Sequence, residues 1–485
     1  MRWMFLLLWT GLVFPLSVDY SFKASNLILK ISGSDPEYIV RIDGKTYKTT
    51  GVLVVPWEKG RVDVVLVEGA ESGERESVMV KGIHDSPPRI FVDIPEVLGL
   101  REVKVHVEAY DDWDEEVKTE CFLDGKPSGC RVLDPLPLEG REHTFEVRAK
   151  DSFGNTTMAL RNFVFDRDPP PVPKMVFQSP GIVVFPDSPR LEFLMPDLGV
   201  VDDVSTLRLD KGYVLRAVDD AGNRGSVFVL PPIPSDLSPF SGMAVTSIAA
   251  NTLLIGSKKF SIVGKVLIPE GKVLAVGEGI SVIVGQNAEL VVKGRLQGIS
   301  GNFSIVGGGN LKVTEGGELY VRDSEIAVEL SSNGGRVVYL DGVEIGSGIL
   351  AVDTNYVVLK DMDVPRLECR NCDGIFLENV RVGEIIVDNT SLVDLEGVEA
   401  SSVVLSGFID ATLRNSTITS LSIDTVTRVD VFESKFEKVG VDKGSRLRMR
   451  YCEAEYLRAS WFSKVEYHGG SVEKKEVSES EVIER

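Results

Sequence analysis

Apolar residues recur at an 18-residue interval along the second half of the chain. One column of this repeat consists of Leu340, Leu359, Leu377, Leu395, Leu413, Val431, Met449 and Tyr467. A second apolar column lies two positions earlier, and further pairs of columns begin five and ten positions after that one. Apolar residues two apart mark one face of a β-strand, so each unit predicts three short strands with two inward side chains apiece.

A second regularity lies two positions after the leucine column. The residues there are Gly342, Asp361, Asn379, Gly397, Asn415, Glu433, Tyr451 and Gly469. Because glycine, asparagine and aspartate adopt left-handed backbone conformations most readily, the column predicts a sharp bend in every coil. Stacked coils merge their small cores into one long core. We therefore expect a parallel β-helix over residues 255–472, followed by a charged tail or cap over residues 473–485.

The handedness of the helix is suggested by the unequal strand intervals and the bend residues. The three strand pairs begin at intervals of five, five and eight residues, whereas a left-handed β-helix has three equal faces. Asparagine at the first bend, as in Leu377-Glu-Asn-Val380 and Leu413-Arg-Asn-Ser416, resembles the right-handed parallel β-helix of pectin-lyase-like proteins. Residues 263–280 and 288–296 resemble the first coils of that class. The resemblance covers residues 255–472 and rests on periodicity, not on a catalytic motif.

The first half shows a different pattern, in which short alternating strands are broken by turn residues. This spacing is typical of β-sandwiches. Val147-Arg-Ala-Lys-Asp-Ser-Phe-Gly-Asn155 recurs as Leu215-Arg-Ala-Val-Asp-Asp-Ala-Gly-Asn223. These residues resemble tandem bacterial immunoglobulin-like domains, and the fold class we expect is all-β. The predicted boundaries are residues 19–86 (a loose match), 87–170, 171–232 (a truncated copy), and a linker with an N-terminal cap at 233–254.

The N-terminus has the layout of a signal peptide over residues 1–17. Arg2 precedes a mostly apolar run over residues 3–14, which is shorter than the roughly 18–20 residues of a membrane-spanning helix. The protein is therefore expected to be exported to the periplasm, the cell surface or the medium, with an uncleaved anchor as the alternative. No other segment is apolar enough to cross a membrane.

Export permits disulfide bonds. Cys121 and Cys130 flank an Asp-Gly turn at residues 124–125, and a hairpin there predicts a disulfide between them. Cys369 and Cys372 form a C-x-x-C in a strand-rich repeat without a helix or further zinc ligands, so we interpret them as a structural pair. Cys452 falls in an apolar column and is interpreted as a core residue.

Charge excludes several partners. The chain of 485 residues has 53 Lys and Arg against 73 Asp and Glu, for a net charge of −20, which argues against nucleic acid and anionic membrane surfaces. Its four histidines are far apart, and no metal or cofactor site is predicted. The acidic run at residues 111–116 is interpreted as a solvated loop, with calcium as the alternative. Scarce glutamine beside plentiful Glu, Lys and Arg suggests a thermophile.

No catalytic residues are predicted. Turns before the third strand of each coil are only about two residues long, too short to build the walls of a groove. Asp388, Asp424 and Asp442 share a turn column and are interpreted as turn caps. The leading hypothesis is a non-enzymatic exported solenoid with a structural role or one in binding polysaccharide or cell-envelope components. Alternatives are a polysaccharide lyase or glycoside hydrolase, identified by three or more carboxylates with a cation in one groove, and a calcium-dependent adhesin.

Overall fold

A computed structural model describes residues 15–484, except for gaps at 24–25, 58–60, 62, 81–86, 101, 112–116, 136–137, 139, 152–153, 180, 235 and 257. Most of the predicted signal peptide lies outside the described residues, as does the acidic run after Asp111. The chain divides into two units, residues 1–167 and 168–485. The described residues are all β, as predicted, and no helix among them could span a membrane.

The first unit contains two β-sandwiches with separate cores. The strands of the first sandwich are Ser17–Lys23, Asn26–Ser32, Tyr38–Ile42, Lys45–Thr49, Val52–Pro56, Asp63–Gly69 and Arg75–Val80. They form a three-stranded and a four-stranded antiparallel sheet. Alternate residues such as Leu27, Leu29 and Val40 are fully buried between the sheets, because a pleated strand directs every second side chain to one face.

The second sandwich is built around a five-stranded sheet. Its strands are Arg89–Asp93, Val97–Leu98, Val103–Lys104, His106–Tyr110, Lys118–Leu123, Lys126–Ser128, Val132–Leu133, Glu142–Lys150 and Thr156–Phe165. Asp124 and Gly125 take positive φ in the turn between two of them. A disulfide joins Cys121 to Cys130, whose Cα atoms lie 5.4 Å apart.

The third sandwich opens the second unit and has its own core. Its strands are Val176–Ser179, Ile182–Val184, Leu191–Met195, Gly199–Val201, Thr206–Arg208, Tyr213–Ala217 and Phe228–Leu230. The sequence repeat that it shares with the second sandwich forms the same kind of turn in both. The backbone N–H of Asn155 donates to Asp151 Oδ1 at 2.8 Å, and that of Asn223 donates to Asp219 Oδ1 at the same distance.

The rest of the second unit is a parallel β-solenoid of about 14 turns. Its strands are Ser238–Phe240, Ala244–Val245, Thr252–Leu254, Lys259–Ile262, Lys265–Ile268, Val273–Val276, Ser281–Val284, Glu289–Val292, Arg295–Gly298, Ser304–Thr314, Glu318–Arg322, Glu325–Asn333, Val337–Asp341, Glu344–Ile345, Ile349–Val352, Tyr356–Arg370, Gly374–Asp388, Leu392–Glu396, Glu399–Ser406, Asp410–Arg414, Thr417–Asp424, Arg428–Phe432, Lys435–Val441, Arg446–Arg450, Glu453–Ser460, Lys464–His468, Ser471–Ser478 and Glu481–Glu484. From residue 356 to residue 468, neighbouring coils pair in register at the predicted 18-residue interval.

Both features of the sequence pattern are confirmed. The apolar columns form one continuous buried core, in which Val357, Leu359 and Ile375 are fully inaccessible. All eight residues of the predicted bend column have φ between 47° and 62°. These eight coils therefore turn their first corner through the left-handed conformation that glycine and asparagine favour.

The ladder extends beyond the predicted limits of 255 and 472. Strands begin at Ser238, within the segment expected to be linker and cap, and end at Glu484. Lys474 in the expected charged tail pairs in register with Tyr456, and Val482 packs against the core from the last strand. A parallel ladder is held by backbone groups, so a charged segment can extend it after the apolar columns end.

Candidate functional site

The outward side chains on the first strand of each coil form one long surface, named here the first-strand face. Its middle column runs in register through Tyr320, Tyr339, Val358, Phe376, Asp394, Thr412, Asp430, Arg448 and Glu466. The column is apolar or aromatic up to Phe376 and polar or charged from Asp394 onward. The face thus has two parts with different chemistry.

The third sandwich packs on the apolar part. Met195, Val214 and Val229 of the sandwich form one buried cluster with the aromatic and apolar residues of the face. The sandwich strand Tyr213–Ala217 is buried along its whole length, because one side faces its own core and the other faces the solenoid. Tyr356 Oη donates to the Leu194 carbonyl oxygen at 2.7 Å. This surface of the solenoid is therefore an intramolecular interface.

A buried cation reinforces the interface where the face becomes charged. Arg216 is 2% exposed and bridges Glu192 of its own sheet and Asp394 of the solenoid, with Nη1 2.7 Å from Asp394 Oδ2. Burial opposes ionisation of Glu192, but the charges and hydrogen bonds of Arg216 and Arg224 outweigh it and lower its pKa. The attraction between Arg216 and its two carboxylates offsets the cost of removing these charges from water where the third sandwich meets the solenoid.

A narrow cleft lies beside the contact. Ser226 Oγ donates to Glu396 Oε2 at 3.0 Å, and Arg414 Nη1 donates to the Arg224 carbonyl oxygen at 3.3 Å. The cleft next to these bonds has a volume of about 20 Å³, which suits one or two water molecules. It is too small to admit a sugar ring.

The charged part of the face carries paired ions. Arg448 is fully buried with Nε 3.5 Å from Asp430 Oδ1, and Arg428 lies 3.5 Å from the same carboxylate. Glu466 is 2% exposed and accepts from Arg446 at 3.0 Å and Lys464 at 2.8 Å. Burial opposes its ionisation, but these two cations prevail and lower the pKa of Glu466 to about 2.

Asp430 differs from Glu466 in its protonation behaviour. Burial raises the pKa of Asp430, and the negative charge of Asp410 adds to this effect against the opposing charges of Arg448 and Arg428. A carboxyl group with a raised pKa inside a cluster of cations is a pattern found at catalytic sites and in structural ion networks. No group of three or more Asp, Glu, His or Cys suited to a metal ion occurs among the described residues.

The predicted candidates came from the inward columns and the closing turns, and they did not include this face. The signal was nevertheless present, since Asp394, Asp430 and Glu466 recur at intervals of 36 residues between two apolar columns. The face carries these three carboxylates beside cations, at intervals of two coils or about 10 Å. Since Arg448 and Glu466 are buried, this region is not an open groove.

The turn-column aspartates bond to residues of the closing turns. Asp424 pairs with Lys443 at 2.8 Å, and Asp442 Oδ1 accepts from the Lys443 backbone N–H at 2.9 Å. Asp388 Oδ1 accepts from Ser406 Oγ at 2.7 Å. Asp442 thus bonds the backbone of its own turn, whereas Asp388 and Asp424 each bond a side chain in the closing turn of the next coil.

The remaining cysteines are buried free thiols. Burial raises the pKa of Cys369, and the hydrogen bond from Cys369 lowers the pKa of Cys372. Burial also raises the pKa of Cys452 to about 11. Buried thiols of this kind lack the exposure that redox chemistry needs.

A second surface that the sequence analysis missed lies at the turn that closes each coil. Phe408, Val426, Trp461 and Phe462 project there with exposures of 74%, 54%, 61% and 79%. We name this set the turn ridge. Monomeric proteins rarely expose several large apolar side chains side by side without a binding role.

Comparison with known proteins places the chain in no family. No family model matches, and no curated protein matches. Among solved structures, a 1.5-MDa bacterial ice-binding adhesin matches with 14% identity and a TM-score of 0.19, covering 44% of this chain and 96% of that one. The N-terminal eight Ig domains of Down Syndrome Cell Adhesion Molecule match with 12% identity and a TM-score of 0.17, covering 45% and 35% of the two chains.

A third solved structure is a Bacteroides ovatus mixed-linkage glucan utilization protein, SGBP-B, in complex with a mixed-linkage heptasaccharide. It matches with 13% identity and a TM-score of 0.13, and covers 42% of this chain and 60% of that one. At these scores the three similarities carry no functional argument, and function has to be inferred from this chain's own surfaces.

Proposed function

We propose that this protein is an exported, non-enzymatic envelope or extracellular solenoid that binds glycan or another surface partner, or serves as a structural rod. The observation that supports it best is the third sandwich seated on the first-strand face. In the pectin-lyase-like class that the coils resemble, acidic and basic residues along one strand face and its turns form a polysaccharide groove. Here the third sandwich covers the apolar part of such a strand face, and its Arg216 occupies Asp394 where the charged part begins.

The chemistry of the charged part supports the same proposal. Glycoside hydrolysis needs two carboxyl groups roughly 5–10 Å apart across an accessible bond, one of them protonated near neutral pH. Glu466 is held ionised by two cations and is buried, so it is not available as an acid. Asp394 is bound to Arg216 of the third sandwich. Both residues stabilise the fold instead.

A second candidate function is favoured by Asp430. Its raised pKa beside Arg428 and Arg448 would suit a general acid in a glycoside hydrolase or polysaccharide lyase acting along the β-helix. This alternative requires a substrate to reach a side chain that is mostly buried. It therefore ranks below the binding role.

The sequence carries the remaining parts of the proposal. Export rests on the signal-peptide layout of residues 1–17, and an oxidising compartment would maintain the Cys121–Cys130 disulfide. Membership of the right-handed pectin-lyase-like class rests on the asparagine bends. The heat-adapted source rests on composition.

The deciding experiment is a screen of the purified chain against neutral and acidic polysaccharides that measures binding and product release together. Affinity electrophoresis reports binding, while reducing ends and unsaturated ends report hydrolysis and lyase cleavage. We expect binding without release. Release that is lost in Asp430→Asn, but kept in the exposed control Asp363→Asn, would refute the proposal and establish the enzymatic alternative.

A further inference from the structure

The closing turn of the coils changes its conformation along the solenoid. Asn371 and Asn389 each take positive φ alone, and the next residues, Cys372 and Thr390, are buried. From Gly407 onward, the residue after the first left-handed position turns outward. This second position holds Phe408, Val426, Gly444 and Phe462 in successive coils. The change in the turn is what creates the turn ridge.

Three of the four ridge residues occupy a backbone conformation that suits other residue types. Val426 has a φ of 55°, Trp461 a φ of 55° and Phe462 a φ of 61°. Bulky and β-branched residues are disfavoured in this region. Other coils have Asn371, Asn389, Gly407 and Gly444 at positive φ in the closing turn. Residues kept in strained conformations concentrate at binding sites and ligand clamps.

Backbone hydrogen bonds hold the turns in place. The N–H of Val426 donates to the Lys443 carbonyl oxygen at 3.1 Å, and the N–H of Phe462 donates to the Glu479 carbonyl oxygen at 2.7 Å. Since coils are spaced by about 4.8 Å, Val426 and Phe462 lie two coils or about 10 Å apart, and Phe408 lies one coil further away. The ridge is thus a preorganised row along the solenoid axis.

The charges next to the ridge limit what can bind. Asp388, Asp424 and Asp442 precede the left-handed positions, and Glu479 follows in the last turn. Lys443, the cation in this row, is already paired with Asp424. An anionic lipid surface or an acidic polymer would be repelled. A second copy docked through the same ridge by a two-fold axis would place these carboxylates opposite one another.

We propose that the turn ridge is a binding platform for a neutral polysaccharide that runs along the solenoid axis. This inference rests on the proposed glycan-binding role and names the site and the ligand class. Flat faces of sugar rings pack on Trp461 and Phe462, and Phe408 and Val426 extend the row. Sugar hydroxyls donate to the flanking carboxylates Asp388 and Asp442, which a neutral chain approaches without repulsion.

The test is affinity electrophoresis of the full chain in gels containing hydroxyethylcellulose, mixed-linkage β-glucan or galactomannan. Carboxymethylcellulose serves as an anionic counterpart of the first polymer. The test variant is Trp461→Gly with Phe462→Gly, in which glycine keeps the left-handed turn while removing both rings. The matched control is Met243→Gly, because Met243 is also 79% exposed but lies outside the ridge.

We expect at least one neutral polymer to retard the wild type and Met243→Gly. The affinity of the double variant for that polymer should be lower by a factor of about ten or more. The melting temperature of the double variant should be unchanged or higher, since strain is removed. Stronger binding to carboxymethylcellulose than to hydroxyethylcellulose would overturn the assignment of a neutral ligand.

The outcomes separate the two proposals. Equal retardation of all three proteins would refute the ridge while leaving glycan binding intact. If carboxymethylcellulose retards the wild type and no neutral polymer does, the ridge assignment fails while glycan binding stands. If no polymer of either kind retards the wild type, both proposals fail. If only a cationic probe such as polylysine binds, and does so through the two ring residues, the ridge is a protein-binding surface and this inference is wrong.

Discussion

Replacement of Arg216 by alanine tests the contact between the third sandwich and the solenoid. Arg216 is 2% exposed and joins Glu192 to Asp394 across the two domains. Its removal leaves both carboxylates without their shared cation and opens a void at a buried position. We expect the domain contact to weaken locally while the solenoid core remains folded.

The size of the effect follows from the burial of the partners. Breaking a buried ion pair by deleting one partner costs about 3–5 kcal/mol. Glu192 retains Arg224 at 2.7 Å, and the side chain of Asp394 is 25% exposed, so water recovers part of its hydration. We therefore expect the lower end, about 3 kcal/mol.

The assay is hydrogen exchange of the full chain followed by mass spectrometry. A multidomain chain need not unfold in two states, whereas exchange reports local opening. About 3 kcal/mol corresponds to roughly 150-fold faster exchange in peptides covering Tyr213–Ala217 and Leu392–Glu396. The matched control is Arg190→Ala, whose ion pair with Asp202 is exposed and is worth less than about 1 kcal/mol.

Exchange of these peptides within about fivefold of the Arg190→Ala control would refute the reasoning, because the contact would then not depend on the buried cation. A second variant separates charge from packing. Arg216→Met combined with Asp394→Leu replaces the interdomain pair by apolar side chains, which is often neutral or stabilising. We expect it to recover most of the protection lost in Arg216→Ala.

Three further predictions concern the solenoid. Because the pKa of Glu466 is lowered, its ionised form stabilises the fold above its ordinary pKa, and this contribution is lost as pH falls towards about 2. Glu466→Gln should therefore flatten the acid dependence of the melting temperature, and an unchanged profile would contradict the assignment. Gly397→Ala should lower the free energy of unfolding by about 1–3 kcal/mol in chemical denaturation, because its φ is 62° and an added Cβ would lie 2.7 Å from Asn379 Oδ1. The control Gly440→Ala, whose Cβ would meet no atom closer than 4.0 Å, should cost little, and equal losses in the two variants would disprove the reasoning. Ser434→Ala should cost about 1–3 kcal/mol by the same measurement, because Ser434 Oγ is buried and accepts from the Ser416 backbone N–H at 3.1 Å; a neutral effect would show that this bond is dispensable.

Much of the solenoid could be predicted because every coil repeats the same packing and the same bend. Each coil must bury pairs of side chains two positions apart and turn a corner at a fixed place, and both requirements leave a mark at an 18-residue interval. The columns containing Leu359 and Asn379 satisfy those two requirements. The end of the ladder was less predictable, since backbone pairing continued through charged residues such as Lys474 that show no apolar pattern.

The candidate surfaces were harder to predict, because outward positions carry no periodic constraint of their own. Asp394 and Glu466 could each have been solvent-exposed. The ridge residue Phe462 has a φ of 61°, a conformation that bulky residues rarely adopt. Only the fold shows that aromatic rings at the second turn position point outward. In those coils the buried turn residue is the one after it, as at Ile409 and Thr427.

The sequence by itself determined the all-β class, the 18-residue repeat and the bend in its eight predicted coils, because these depend on contacts between residues close in sequence or one coil apart. The tertiary structure alone decided which solenoid surface is covered and which remains accessible. The ion pair of Arg216 with Asp394 joins residues 178 positions apart, and no local pattern encodes a meeting at that distance. The function proposed here depends on that long-range contact and on the ridge, and both follow from how the coils and the third sandwich pack.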